Sequence, residues 1–87
     1  MNTDNIRYSS RFKKRYSKLD PMMKDRVKKT LALFKSNPIY PSLRLHKLSG
    51  KLEGYWSISV NRNYRIIIEI EDECITLISV GTHAIYN

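Results

Sequence analysis

The hydrophobic spacing of this 87-residue chain changes once, and that change limits its fold more than any other feature. Up to Phe34 the apolar residues recur every three or four positions; beyond Ser42 they alternate. The first spacing gathers side chains on one stripe of a helix, and the second gathers them on one face of a strand. The chain therefore reads as helices first and sheet second. The break falls at Asn37-Pro38, because a residue before proline disfavours helical backbone.

Within the helical half, Phe12, Tyr16 and Leu19 recur at i, i+4 and i+7, and Ser9 or Ser10 is placed to cap their helix. Asp20-Pro21 is a second start signal, with Asp as cap and Pro at the first helical position, where its missing N–H costs nothing. The stripe of that second helix runs Met23, Val27, Thr30/Leu31 and Phe34, while Lys24, Lys28, Lys29 and Lys35 are expected to face outward. Ahead of both helices, Asn5–Ser9 is expected to form a short strand with Ile6 and Tyr8 on one face.

In the second half, Leu43 to Leu48 alternates, with Leu43 and Leu45 set against Arg44 and His46. Gly50 and Gly54 bracket a loop. Trp56, Ile58 and Val60 share a face of the next strand, Asn61-Arg62-Asn63 turns the chain, and Tyr64, Ile66, Ile68 and Ile70 point inward from the one after. That leaves Arg65, Ile67 and Glu69 on the opposite face. The acidic turn at residues 71–73 leads into a last strand from Ile75 to Thr82. The expected order is β-α-α-β-β-β-β, an α+β fold in which a helical hairpin packs on one face of a mainly antiparallel sheet. Without a linker or repeat, residues 1–87 are expected to be one domain, of a size that buries only about 60–65% of the unfolded chain's surface.

Charge narrows the function. All 16 Lys and Arg lie between Arg7 and Arg65, where Asp20, Asp25 and Glu53 are the opposing acids, a net +13. A polyanionic partner is the leading inference, set against a merely soluble basic surface. No stretch approaches the roughly 20 apolar residues of a membrane span. The opening MNTDNIRYSS has no apolar signal core. Cys74 is a single cysteine, which suits a reducing cytoplasm. One Cys and two His provide no zinc spacing, so neither metal nor cofactor is expected.

Four residues could carry chemistry: His46, Arg65, and His83 and Tyr86 beyond the last strand. Two imidazoles and a guanidinium suffice to cleave RNA. One imidazole removes the ribose 2′-hydroxyl proton, the other protonates the leaving 5′-oxygen, and the guanidinium stabilises charge building on phosphorus. Lys13, Lys14, Arg44, Lys47, Lys51 and Arg62 are the expected contacts to the RNA backbone. Each has a plainer reading: isolated histidines as surface groups, Arg65 paired with Glu69 or Glu71, Tyr86 covering a core edge, Trp56 anchoring the core. Taken alone, these residues reach no further than a basic domain associated with nucleic acid.

The stretch LHKLSGKLEGYWSISVNRNYRIIIEI, followed by ISVGTHAIY, resembles the RelE/ParE superfamily of type II toxins, in particular its YafQ-like and YoeB-like mRNA interferases. The resemblance rests on Leu48–Gly50, Gly54–Trp56, Tyr64–Ile68 and Gly81–Ala84 in that order, and it covers nearly the whole chain. It implies a microbial ribonuclease-like fold and ribosome-dependent, metal-independent cleavage of mRNA. It also implies a cognate antitoxin, through which the complex binds operator DNA. It gives His46 the place of the base, His83 that of the general acid, Arg65 a contact to the scissile phosphate, and Tyr86 a place near the terminal aromatic. One departure is plain: Asn61-Arg62-Asn63-Tyr64 lacks the His and Asp of the YafQ-like pattern. A ParE-like inhibitor of DNA gyrase, or a weakly catalytic module that binds RNA or the ribosome, are the alternatives.

Overall fold

The computed structural model describes residues 2–82. His83 and Tyr86 lie outside the described residues. The elements follow in the order β1 (Ile6–Tyr8), α1 (Ser10–Ser17), α2 (Pro21–Ser36), β2 (His46–Lys47), β3 (Trp56–Ser59), β4 (Arg65–Glu71) and β5 (Cys74–Gly81). Short 3-10 turns at Pro41–Leu43 and Gly50–Leu52 flank β2.

Both helices start where their caps dictate. Ser9 has extended backbone, and its hydroxyl accepts from the Phe12 amide at 3.0 Å, satisfying one of the first-turn N–H groups. Asp20 does the same for the Met23 amide at 2.8 Å, with Pro21 at the first position. Helix α2 ends at Ser36, one residue before Asn37-Pro38. Phe12, Val27, Leu31 and Phe34 are buried from the helical side. They meet Ile58, Ile66, Ile68, Ile75, Leu77 and Val80 of the sheet, with Leu43 closing the core from its 3-10 turn. Truncating a side chain as enclosed as Phe34 to alanine costs about 3–5 kcal/mol.

The five strands are ordered β1-β5-β4-β3-β2. From β2 to β5 neighbours are antiparallel, whereas β1 pairs in parallel with β5, Ile6 opposite Ile75 and Tyr8 opposite Leu77. The last strand is thus an interior strand. Its pairing with β4 slips between Ile67 and Ile68, so that Ile78 is an extra residue on β5. Such a bulge reverses which residues face inward. Leu77 and Val80 therefore both reach the core although three positions separate them.

Two details depart from the expected strands. The alternation from Leu43 to Leu48 is not one strand. Pro41 starts a 3-10 turn, Arg44 takes a left-handed backbone (φ 49°), and pairing is confined to His46 and Lys47. Proline fixes its own φ and donates no N–H, which favours the turn over a ladder. Ile67 is the second departure. It sits on the face turned away from the helices, as expected, yet it is buried, and so are its cross-strand neighbours Ser57 and Ser79. The outer face of this sheet is enclosed at its centre.

Candidate active site

That outer face carries two of the candidate residues, His46 and Arg65. His46 on β2 lies opposite Ser57 on β3, Ser57 opposite Ile67 on β4, and Ile67 opposite Ser79 on β5. Directly paired residues project to the same side of a sheet, so the four form one row across it. The next row is Ser59, Arg65 and Gly81. His46 and Arg65 therefore share a face, two inter-strand spacings apart (about 10 Å) and one two-residue step along the strands (about 7 Å). Two long side chains at that separation can approach one phosphodiester from different sides without touching each other.

The local backbone orients His46. The left-handed turn at Arg44 leaves its carbonyl 2.7 Å from Nδ1 of the imidazole. A carbonyl can only accept, so Nδ1 carries the proton, and the neutral ring keeps its lone pair on Nε2. That atom can receive a proton from a ligand, and the ring's exposure gives a ligand access. Arg65 is half-buried at the start of β4. The turn before it is held by the Asn61 side chain, whose Oδ1 accepts from the amides of Asn63 (2.9 Å) and Tyr64 (2.8 Å). In the same enclosed row the Ser79 hydroxyl is buried and has no hydrogen-bond partner among the described residues. Buried polar groups without a partner are uncommon.

The expected backbone contacts divide between several surfaces. Arg44, Lys51 and Arg62 are exposed in the segments around β2 and before β4. Lys47, adjacent to His46, points the other way, its ammonium 5.4 Å from the centre of the Trp56 ring. Lys14 belongs to a set that the sequence reading passed over. Arg11, Lys14, Arg15 and Lys18, at i, i+3, i+4 and i+7, line one shallow cleft along α1. Their spacing was the available signal. Lys13 instead stands at the rim of an apolar groove between β1, α1 and α2, together with Lys28. Lys24, expected to be fully outward, is half-buried with its ammonium 5.9 Å from the Tyr16 ring. Among the described residues, no three His, Cys, Asp or Glu side chains gather as a metal site would require, and no helix is long and apolar enough to cross a membrane.

This architecture, a helical hairpin on one face of a five-stranded mixed sheet, is shared with small bacterial toxins of known structure. YafQ from E. coli strain BL21(DE3) superposes with a TM-score of 0.76 at 23% identity, over 94% of this chain and 96% of that one. The YoeB/ParE toxin from Agrobacterium tumefaciens has a TM-score of 0.74 at 17% identity, over 91% and 98%. The YafQ-related chain of the E. coli DinJ-YafQ toxin-antitoxin complex has a TM-score of 0.76 at 22% identity, over 93% of each. At these identities the likeness establishes the fold. A search of curated protein sequences found no match. The family model for YafQ, the bacterial toxin of a type II toxin-antitoxin system, matches residues 4–86. The chain belongs to that family of toxins.

Proposed function

We propose that this toxin is a ribosome-dependent, metal-independent endoribonuclease that cleaves mRNA in the cytoplasm and so inhibits translation. The observation that carries the reading is the common face of His46 and Arg65, with Nε2 of His46 left as the basic atom by the Nδ1 contact to Arg44. In the proposed reaction Nε2 takes the 2′-hydroxyl proton. The freed oxygen attacks phosphorus, and the bond from phosphorus to the 5′-oxygen breaks. Arg65 balances the charge on the phosphoryl oxygens. His83 returns a proton to the leaving 5′-oxygen, and Tyr86 completes the wall of the site. His83 follows by two residues Gly81, the β5 partner of Arg65. Lys14, Arg44, Lys51 and Arg62 hold the RNA phosphates.

Ribosome dependence is proposed because the chain offers few acid–base groups and much cationic surface. Docking on ribosomal RNA positions a message that the site alone would hold loosely. A cognate antitoxin, as in the DinJ-YafQ complex, keeps the toxin inactive and carries the complex to operator DNA. Its contact segment is expected to be acidic and to order on binding, because it must match a chain with a formal charge of +8.

The test compares cleavage of one mRNA free and in translating ribosomes. The expected result is much faster cutting on the ribosome, with 2′,3′-cyclic phosphate and 5′-hydroxyl ends. A 2′-methoxy group at the cut site should block it. Equal rates on free and ribosome-bound RNA would remove the ribosome from the reading. Continued translation together with failing DNA supercoiling would replace it with gyrase inhibition.

A further inference from the structure

The outer face that carries His46 and Arg65 changes sign along its strands. Alternate residues of a strand project to one side, so the outward residues of β4 are Arg65, Ile67, Glu69 and Glu71. Glu69 lies opposite Thr76, which lies opposite Arg7, and Glu71 lies opposite Cys74. Asp72 and Glu73 then make the turn into β5, so four carboxylates gather at this end of the sheet. Arg7, Glu69, Glu71 and Asp72 line one shallow depression there, together with Cys74 and Thr76. Among the described residues none of the four carboxylates is in an ion pair, and they are not grouped as a metal site would require. The opposite end of the face carries the row of Ser59, Arg65 and Gly81, with Arg62 exposed in the turn before β4. Arg65 and Glu69 are two two-residue steps apart along the strand, about 13 Å. The uncharged row of Ser57, Ile67 and Ser79 lies between them.

We propose that Glu69 and Glu71 are specificity-determining residues that act by repulsion: they bar RNA from lying along the strands and confine it to a path across them, over His46 and Arg65. The proposal rests on the ribonuclease reading above, and adds the direction of the substrate and one cause of its dependence on the ribosome. A phosphate chain that ran from Arg65 along β4 would pass over Glu69 and then Glu71, meeting like charge at each step. A chain that crosses from β4 to β2 stays near Arg65, His46 and the exposed Arg44. Selection by an unfavourable contact is as effective as selection by a favourable one. Distance keeps the repulsion away from the chemistry. At physiological salt charges are screened over about 8 Å, so carboxylates about 13 Å or more from Arg65 act on neighbouring phosphates and little on the one that reacts. Free RNA, which can take either path, loses one of them. A message already laid out by the ribosome loses nothing.

The experiment compares the full chain with Glu69→Gln/Glu71→Gln, which removes two charges and keeps the side-chain shapes. Binding is measured by fluorescence anisotropy on a single-stranded RNA with 2′-methoxy groups throughout, which is held but not cut. At about 0.01 M salt, where screening reaches about 30 Å, the variant should bind about 3- to 10-fold tighter. The gain should fade as salt rises. Cleavage of free unmodified RNA should rise with it, while cleavage on translating ribosomes stays at the wild-type rate. Glu69→Lys/Glu71→Lys should go further in the same direction. Glu71→Gln/Glu73→Gln, at two exposed positions, serves if the first variant fails to fold, with a smaller gain. Unchanged binding at low salt would overturn the proposal. Slower cutting on the ribosome with unchanged binding of free RNA would also overturn it, and would make the acidic end a contact for a basic ribosomal protein. Either result leaves the ribonuclease reading standing as long as the wild-type chain cuts RNA. A wild-type chain that cuts none, free or on the ribosome, removes that reading and the proposal with it.

Discussion

The Ser9 hydroxyl joins the start of α1 to the bulge in β5: it donates to the Ile78 carbonyl at 2.7 Å while accepting from the Phe12 amide at 3.0 Å. One side chain thereby satisfies a helix N–H and the carbonyl of the residue that the slipped register leaves without a strand partner. The Ser9 amide also donates to the Leu77 carbonyl at 3.0 Å, so the helix is docked to β5 by two bonds at its cap residue.

Replacing Ser9 by alanine should therefore cost more than an ordinary cap. Loss of the cap and of the bond to Ile78 together should lower stability by about 2–3 kcal/mol. Ser9→Thr retains a hydroxyl that can do both, and should lose well under half of that. Urea unfolding of the three proteins checks the order. An alanine variant as stable as the wild type would show that the two bonds contribute nothing.

Ser79 should behave in the opposite sense. Its hydroxyl is buried without a partner among the described residues, so Ser79→Ala removes an unsatisfied group and none of the hydrogen bonds described. Thermal unfolding should show stability unchanged or raised, by up to about 1 kcal/mol. A clear loss of stability would mean that the hydroxyl is paired in solution.

At the proposed site, His46→Gln should slow cleavage of ribosome-bound mRNA by about 10²–10⁴-fold, the usual contribution of a general base. Because the imidazole is exposed, the melting temperature should stay close to that of the wild type. His83→Gln should lower cleavage over the same range if it is the acid. Full activity in either variant excludes that residue from the proton transfers.

The cationic cleft of α1 provides a test by salt. Lys14→Glu/Lys18→Glu should weaken ribosome binding at every message sequence alike. It should also flatten the dependence of binding on salt, because each phosphate contact contributes roughly one released counterion to the slope. A slope as steep as the wild type's would place the ribosome contact elsewhere.

Local signals in the sequence were read correctly where local chemistry decides the structure. Asp20-Pro21 and Ser9 start their helices, Asn37-Pro38 ends one, and alternation puts Ile66 and Ile68 opposite Arg65. What was missed depends on contacts between distant residues. Neither the parallel pairing of Ile6 with Ile75 nor the bulge at Ile78 has a signature within its own few residues. The alternation from Leu43 was over-read, because Pro41 and the left-handed Arg44 make a turn whose apolar residues happen to alternate. For the site, period two puts residues on faces, but only the register shows that His46 and Arg65 share one. Lys13 and Lys14, both expected to contact the RNA backbone, adjoin in the chain but not in space. On a helix, neighbours are about 100° apart, which here separates a groove rim from a basic cleft.

The place of β5 inside the sheet has a consequence for how the toxin comes into being. Among the described residues β1 pairs only with β5, and α1 is tied to that strand through Ser9, so residues 6–10 must wait for residues some seventy positions later. Contacts this distant in sequence delay folding until the intervening chain is complete. Until residues 74–81 are available, β1 has nothing to pair with, α1 has no anchor, and the face that aligns His46 with Arg65 lacks its neighbouring strand, so the two ends of the described chain must meet before the proposed site is framed.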